Sequence, residues 1–141
     1  MNAHRFLDTS VLLCAYDQDA PVKRAIAMRL VEEGWNALGQ TAISVQVLQE
    51  LQVNLERRGV SRLEAERIIR DYALWPVVDN TFKLLLTALE EQARWRLPPW
   101  DALILAAARA SGATEIYSEE FGDGQDYGGV RVINPFHGTP S

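Results

Sequence analysis

The sequence predicts an α/β protein in which helices cover both faces of a parallel sheet. Residues 6–13 begin as a short apolar strand, break at a carboxylate followed by two hydroxyls, and resume as an apolar run that starts a helix. Short strand-like segments then alternate with single or paired helical patterns, as expected for parallel strands joined by helices. The length of 141 residues suits one domain with a single core and leaves little room for two.

The first half of the chain is predicted to contain two strands and four helices. A helix over residues 11–16 follows the first strand. Asp19 is a candidate cap for a second helix, which begins at Pro21 and stops at Gly34.

A second strand is predicted over residues 41–43, because Ser44 is a suitable cap for the helix that follows it. That helix carries apolar residues at helical spacing. Ser61 and Glu64 then form a capping-box pattern, which starts a further helix that reaches about residue 74.

The second half begins with a third predicted strand over residues 75–79, and Asn80 is expected to cap the helix after it. Pro98 and the residues after it force a turn. Asp101 then opens a helix that is apolar nearly all round and is therefore expected to be buried, with Gly112 as its end. The remaining predicted elements are a fourth strand (115–118), a polar loop (119–129), a fifth strand (130–134) and a tail from residue 135.

Composition limits the class of protein. A hydrophobic share of 48% is ordinary for a globular chain, and no apolar run approaches the ~20 residues that cross a bilayer. The first five residues lead into a strand without a signal-peptide pattern, so we expect a cytoplasmic protein with no membrane contact. Cys14 is the only cysteine, which excludes an intrachain disulfide and a zinc site built on several thiolates.

The net charge of −5 argues against broad, non-specific binding to a phosphate backbone. It does not exclude an enzyme that acts on nucleic acid, because divalent metal ions supply positive charge locally. An acidic surface also suits a basic partner.

Carboxylates recur at the predicted ends of strands and starts of helices. Asp8 follows the first strand, Asp101 begins a helix, and Glu119 and Glu120 follow the fourth strand. If the strands are parallel, these acids converge at one sheet edge, and Glu50 joins them if its helix starts there. Such a cluster must bind protons or a cation, and oxygen ligands select Mg²⁺ or Mn²⁺.

Structural roles explain the same residues individually. Asp8, Thr9 or Ser10 can be explained as the cap of the first helix, with no further role, and Asp101 can be explained as the cap of a later one. Glu50 can be a solvated helix residue, and Glu119 and Glu120 can lie on an exposed loop. The four tryptophans, including Trp100, are expected to pack in the core or at hinges rather than to stack on bases.

Four segments together resemble the PIN-domain family, in order and spacing. The end of the chain is similar to the bacterial toxin branch, the VapC-like ribonucleases of type II toxin–antitoxin pairs. The matching segments are residues 6–13, 43–51, 100–107 and 116–121, followed by the C-terminal pattern of Gly124, Gln125, Tyr127 and residues 130–136.

The resemblance implies a PIN-like fold, with a five-stranded parallel sheet between helices, and endoribonuclease activity that depends on Mg²⁺ or Mn²⁺. Carried over, Asp8, Glu50 and Asp101 are metal-binding acids, with Ser10 as a nearby hydroxyl. The fourth acidic position, usually Asp, is occupied by Glu120. Its extra methylene implies weaker or water-mediated ligation, and Asp123 is an alternative ligand.

The resemblance also implies an RNA substrate, a homodimer, and a small basic antitoxin that covers the acidic cleft. It extends over nearly the whole chain, so residues 1–141 are expected to form one PIN domain with a tail over 136–141. Two other functions stay open: a non-catalytic PIN-like module that binds RNA or protein, and a phosphatase with Asp8 as nucleophile. The phosphatase usually has a second Asp where Ser10 stands.

Overall fold

The computed structural model describes residues 2–139 and contains one five-stranded sheet in the order β3-β2-β1-β4-β5. Every paired strand is parallel, and Phe6 of β1 lies between Ala42 of β2 and Ile116 of β4. The predicted fold class, a parallel sheet flanked by helices, is therefore confirmed. The strands are β1 (Arg5–Leu7), β2 (Thr41–Ser44), β3 (Val77–Val78), β4 (Glu115–Tyr117) and β5 (Arg131–Ile133).

Helices occupy the connections between the strands, except between β4 and β5, where an irregular loop runs. The last helix packs on β2 and β4, and the helix before it packs against the last one. A 3₁₀ turn (Tyr72–Leu74) completes the segment that the sequence predicts as continuous helix to residue 74. The α-helices are α1 (Thr9–Cys14), α2 (Pro21–Asn36), α3 (Val45–Arg57), α4 (Arg62–Asp71), α5 (Phe82–Trp95) and α6 (Pro99–Ala110).

Two predicted helix caps lie one residue from the observed ones. Ser44 and Ser61 cap α3 and α4 as predicted, each accepting a backbone N–H from the first turn. The N-cap of α5 is Thr81 rather than Asn80, and the N-cap of α2 is Ala20 rather than Asp19. Asn80 and Thr81 are both suitable cap types and cannot be separated by type alone. At α2 no side chain caps the helix, which begins at Pro21 as predicted.

Gly34 is wrong as the end of α2, since the helix continues to Asn36. A Cβ atom at position 34 would lie 2.3 Å from Cζ2 of Trp75, so the glycine makes room for the indole ring. Gly112, by contrast, follows α6 with a positive φ of 87°, which is the predicted helix-ending conformation.

The core extends to the segment predicted as a tail. Phe136 is buried against Val11 of α1 and against Ala27 and Leu30 of α2. The start of that segment is therefore packed, and residues 140 and 141 lie outside the described part of the chain. Within residues 2–139, no helix has both the length and the apolar character needed to cross a membrane.

Candidate active site at the carboxyl ends of β1 and β4

Asp8 is the first residue after β1 and is buried, with 4% of its surface exposed. It is the N-cap of α1, and its Oδ1 accepts a hydrogen bond from the backbone N–H of Thr9 at 2.7 Å. Its Oδ2 accepts a bond of 2.7 Å from the hydroxyl of Ser118, the first residue after β4. The predicted cap is thus real, but Asp8 also ties together the two strands from which the chain continues to opposite sides of the sheet.

Burial raises the pKa of Asp8 from 3.8 to about 7. The negative charges of Glu120 and Glu50 contribute to this rise, while the hydrogen bonds from Ser118 and Thr9 oppose it. The influence of two distant acids on this pKa indicates that the side chains share one region of the surface.

Glu50 lies on α3 and is connected to Asp8 through Thr9. The Thr9 hydroxyl donates a hydrogen bond of 3.0 Å to Oε1 of Glu50, while the Thr9 backbone N–H bonds to Asp8. The Glu50 side chain is therefore at the sheet edge that holds Asp8, as predicted for a helix that starts there.

The loop after β4 brings Glu120 to the same edge. Its backbone N–H donates a hydrogen bond of 3.0 Å to Oγ of Ser118, whose hydroxyl bonds to Asp8. Burial raises the pKa of the Glu120 carboxyl, and the charges of Asp101 and Glu50 raise it further.

Asp101 reaches this cluster from the first turn of α6. The helix begins at Pro99 and its N-cap is Pro98, so Asp101 is wrong as the residue that opens the helix and wrong as an N-cap. Proline at the first helical position has no N–H to leave unpaired, which lets the helix start earlier than predicted. Burial raises the pKa of Asp101, and its charge acts on Glu120.

The remaining predicted residues surround this cluster or lie away from it. Ser10 Oγ is 3.5 Å from Oδ2 of Asp8 and accepts the backbone N–H of Glu119 at 3.1 Å. The Glu119 carboxylate pairs with Lys23 at 2.6 Å. The Asp123 carboxylate contacts Asn134 and His137. Its role as the fourth acid stays a prediction.

The side chains of Asp8, Glu50, Asp101 and Glu120 fit a hard divalent cation, because all four supply carboxylate oxygens and together form a negatively charged group. Within residues 2–139, no three His, Cys, Asp or Glu side chains have the spacing to hold a metal ion in the conformation described. Glu50 and Glu120 are exposed, whereas Asp8 is buried.

Two hydroxyl groups of the site have roles that the sequence did not reveal. Ser118 and Thr9 join the acids by hydrogen bonds, and both stand directly beside an acid at the end of a strand. A hydroxyl residue beside an acid at the end of a strand can therefore indicate a site of this kind, although residues that only cap a helix show the same pattern. Trp100 is 71% exposed, so the prediction that it packs in the core or at a hinge is wrong.

The fold and the site together define a parallel α/β protein with acids gathered where β1 and β4 lie side by side. In such sheets, this point between strands that continue in opposite directions is the usual place of a site. The family profile described as PIN domain matches residues 5–120, and the chain belongs to the PIN-domain family. Among curated proteins, no match is found.

Three solved structures are similar over most of the chain. The toxin VapC20 of Mycobacterium tuberculosis, described as cleaving the sarcin–ricin loop, is 25% identical, with a TM-score of 0.65 over 82% of this chain and 89% of its own. A toxin–antitoxin complex from Klebsiella pneumoniae is 19% identical (TM-score 0.68, covering 94% and 98%). DNA-bound VapBC from Salmonella typhimurium is 14% identical (TM-score 0.65, covering 94% and 98%). These last two likenesses concern the fold alone.

Proposed function

We propose that this protein is a metal-dependent endoribonuclease and the toxin of a type II toxin–antitoxin pair. One observation carries the proposal: acids from four separate elements come together at the switch point of the sheet, where the charges of Glu50 and Glu120 raise the pKa of Asp8 and that of Asp101 raises the pKa of Glu120. An arrangement of like charges is costly unless protons or a cation compensate it.

In the proposed reaction, Asp8 is the fixed anchor, since its burial and its bonds to Ser118 and Thr9 hold the carboxylate in one orientation. Glu50 and Glu120 adjust around it, and Asp101 completes the set from α6. Held by these carboxylates, Mg²⁺ or Mn²⁺ would activate a water and offset the charge that develops on the phosphodiester. The acids also repel the RNA backbone, so cleavage without the cation is disfavoured.

RNA is the proposed substrate because VapC20, which shares the fold over most of the chain, is described as cleaving an RNA loop. A basic antitoxin is the proposed partner, since a cationic side chain placed among these acids would neutralise the same charges as the metal. The net charge of −5 favours such a partner. We also propose that the protein is cytoplasmic, as the sequence predicts.

We also propose a homodimer. An apolar stripe on α5 supports it: four large side chains at helical spacing are each 46% to 74% exposed. The four residues of the stripe are Phe82, Leu85, Leu86 and Leu89. Exposed apolar stripes of this kind are typical of protein contacts, and a measurement of the mass in solution tests whether the protein is a dimer.

The nuclease proposal is tested by cleavage of single-stranded RNA with Asp8→Asn and Asp101→Asn in the presence of Mg²⁺ or Mn²⁺. Each substitution removes a charge with almost no change of shape. We expect at least a hundredfold loss of rate, corresponding to about 3 kcal/mol or more of lost transition-state stabilisation. Chelation with EDTA is expected to abolish the activity of the unaltered protein.

The matched control is Asp19→Asn, since Asp19 is exposed and lies outside the cluster. Its rate should equal that of the unaltered protein, and all variants should give the same circular dichroism spectrum. Full activity in both Asp8→Asn and Asp101→Asn contradicts the proposal. A folded, metal-binding chain that cleaves no RNA would favour the non-catalytic PIN-like module.

A further inference from the structure

Two consecutive acids in the loop after β4 have different partners. Glu120 belongs to the acid cluster, where the charges of Asp101 and Glu50 raise its pKa. Glu119 instead forms an ion pair with Lys23 of α2, with 2.6 Å between Oε2 and Nζ. The contacts of Glu119 therefore bear on which of the two acids reaches the cluster.

The ion pair between Lys23 and Glu119 is largely shielded from solvent. Only 18% of the Lys23 side chain and 29% of the Glu119 side chain are exposed. Nζ of Lys23 also lies 5.5 Å from the ring centroid of Phe136, which is buried against α1 and α2. Salt and water screen such a pair less than they screen a pair on the open surface, so it is suited to fix the position of a loop.

Two further contacts hold Glu119 in the same place. Its backbone N–H donates a hydrogen bond of 3.1 Å to Oγ of Ser10. The Cys14 thiol lies 3.9 Å from Oε1 of Glu119, within reach of a weak S–H donor. Ser10 and Cys14 are both on α1, so Glu119 connects the loop after β4 to α1 and to α2.

The position of Glu119 bears directly on Glu120, because the two residues are adjacent in the backbone. The N–H of Glu120 donates a bond of 3.0 Å to Oγ of Ser118, and the Ser118 hydroxyl bonds to Asp8. Residues 118–120 are therefore held at one end by Asp8 and in the middle by Lys23. Loss of the ion pair would remove the only charged contact among these, and the Glu120 carboxylate would be less well oriented.

We propose that Lys23 is a positioning residue of the acid cluster: by pairing with Glu119, it holds the loop after β4 so that Glu120 is oriented to bind the divalent cation. Lys23 itself contacts neither the cation nor the RNA. This inference rests on the proposed metal-dependent function and deepens it by giving the two consecutive acids separate roles, since Glu119 holds the loop and Glu120 is the ligand.

The test measures Mn²⁺ binding by titration calorimetry in the absence of RNA. Lys23→Met removes the charge and keeps a long unbranched side chain, and we expect the Mn²⁺ dissociation constant to rise about tenfold, as is usual when a residue that orients a metal ligand is lost. Lys23→Arg can still pair with Glu119 and should restore most of the affinity.

The matched control is Lys83→Met, because Lys83 is exposed on α5 and the substitution changes the net charge equally. It should leave Mn²⁺ binding unchanged. All variants should give the circular dichroism spectrum of the unaltered protein.

The dependence on Glu120 separates positioning from a general loss of structure. In a Glu120→Gln background, where the ligand is already lost, Lys23→Met should cause no further loss of Mn²⁺ affinity. Glu119→Gln breaks the same pair from the other side, so it should weaken binding no more than Lys23→Met does, and the double variant should equal Lys23→Met. A much larger loss in Glu119→Gln would mean that Glu119 is itself a ligand, which overturns the proposal.

The outcomes are distinguishable from those of the nuclease proposal. Equal Mn²⁺ affinity of Lys23→Met and Lys83→Met overturns the positioning role while the nuclease stands. Mn²⁺ binding that depends on Lys23 in a protein that never cleaves RNA supports the positioning role and overturns the nuclease. If the loss caused by Lys23→Met persists in full without the Glu120 carboxylate, Lys23 acts on the cation by another route and the proposal is wrong.

Discussion

Two carboxylates are buried to nearly the same degree but have opposite surroundings. Glu91 of α5 is 6% exposed and accepts bonds from Nε of Arg109 at 2.7 Å and from Nε1 of Trp95 at 3.1 Å. Arg109 also donates to the backbone oxygens of Tyr127 and Gly128. This ion pair connects α5, α6 and the loop before β5, so its role is to hold the fold together.

Within residues 2–139, Asp8, at 4% exposure, has no such counter-charge. Its hydrogen-bond donors, Ser118 and the N–H of Thr9, are neutral, and the charges that reach it from Glu50 and Glu120 are negative. Burial without a cation destabilises a carboxylate, whereas burial with one is tolerated. The difference indicates that burial alone does not identify a candidate functional acid, and that the lack of a counter-charge is what separates Asp8 from Glu91.

The largest loss of stability is expected from breaking the Glu91 pair. Glu91→Gln leaves the Arg109 charge without its counter-ion, and loss of one partner of a buried pair costs about 3 kcal/mol. We expect the free energy of unfolding to fall by about that amount, as measured by urea denaturation. The cleavage rate per folded molecule should be unchanged, because within residues 2–139 neither Glu91 nor Arg109 bonds to an acid of the cluster.

The matched control for that measurement is Glu90→Gln, one residue earlier on α5 and exposed. Its stability should change by less than about 0.5 kcal/mol. Equal stability of the Glu91 and Glu90 variants would show that the buried pair contributes nothing, and the contrast with Asp8 would then be lost.

Asp8→Asn should have the opposite effect on stability, with a defined pH dependence. Because the pKa of Asp8 is raised from 3.8 to about 7, the folded state keeps a proton between these values that the unfolded state has released. The free energy of unfolding therefore falls as pH rises through this window, and stays low above it. Asparagine has no charge to bury, so the variant avoids this loss.

We expect Asp8→Asn to be more stable than the unaltered protein by about 4 kcal/mol at pH 8 in the absence of divalent ions, which is the free-energy equivalent of a pKa raised from 3.8 to about 7. At pH 4 the two should be nearly equal. Urea unfolding at several pH values measures the difference, in which the titration of the other acids largely cancels. A difference that is independent of pH would mean that Asp8 is not buried as a costly charge.

Much of the fold follows from local pattern. Each of the five strands lies within one residue of, or inside, an apolar segment predicted from sequence, and Ser44 marks the start of α3. Gly34 is the exception that teaches most. As a helix-ending residue it has the right type, but its actual role is to accommodate Trp75, a contact between distant segments that no local pattern contains.

The candidate site, too, is predicted in part by local sequence patterns and depends in part on contacts that they do not contain. The acids are visible in the sequence because parallel strands bring their ends together. The bonds of Ser118 and Thr9 are not, since hydroxyls at strand ends and helix starts have the same appearance whether they cap or connect. Trp100 lies inside α6, because the helix starts at Pro99 and not at the predicted Asp101. Its exposed side chain was not predicted from the local pattern.

The smallest change in stability is expected from adding a divalent cation, which tests the contrast between Asp8 and Glu91 directly. Mg²⁺ or Mn²⁺ at ten times its dissociation constant should stabilise the unaltered protein by about 1.4 kcal/mol, because it binds the folded state only. Glu91→Gln should gain as much, since its acid cluster is intact. Asp8→Asn should gain almost nothing, because a neutral amide replaces the buried ligand. Thermal unfolding with and without the ion measures all three, and an equal gain in Asp8→Asn would locate the cation away from Asp8.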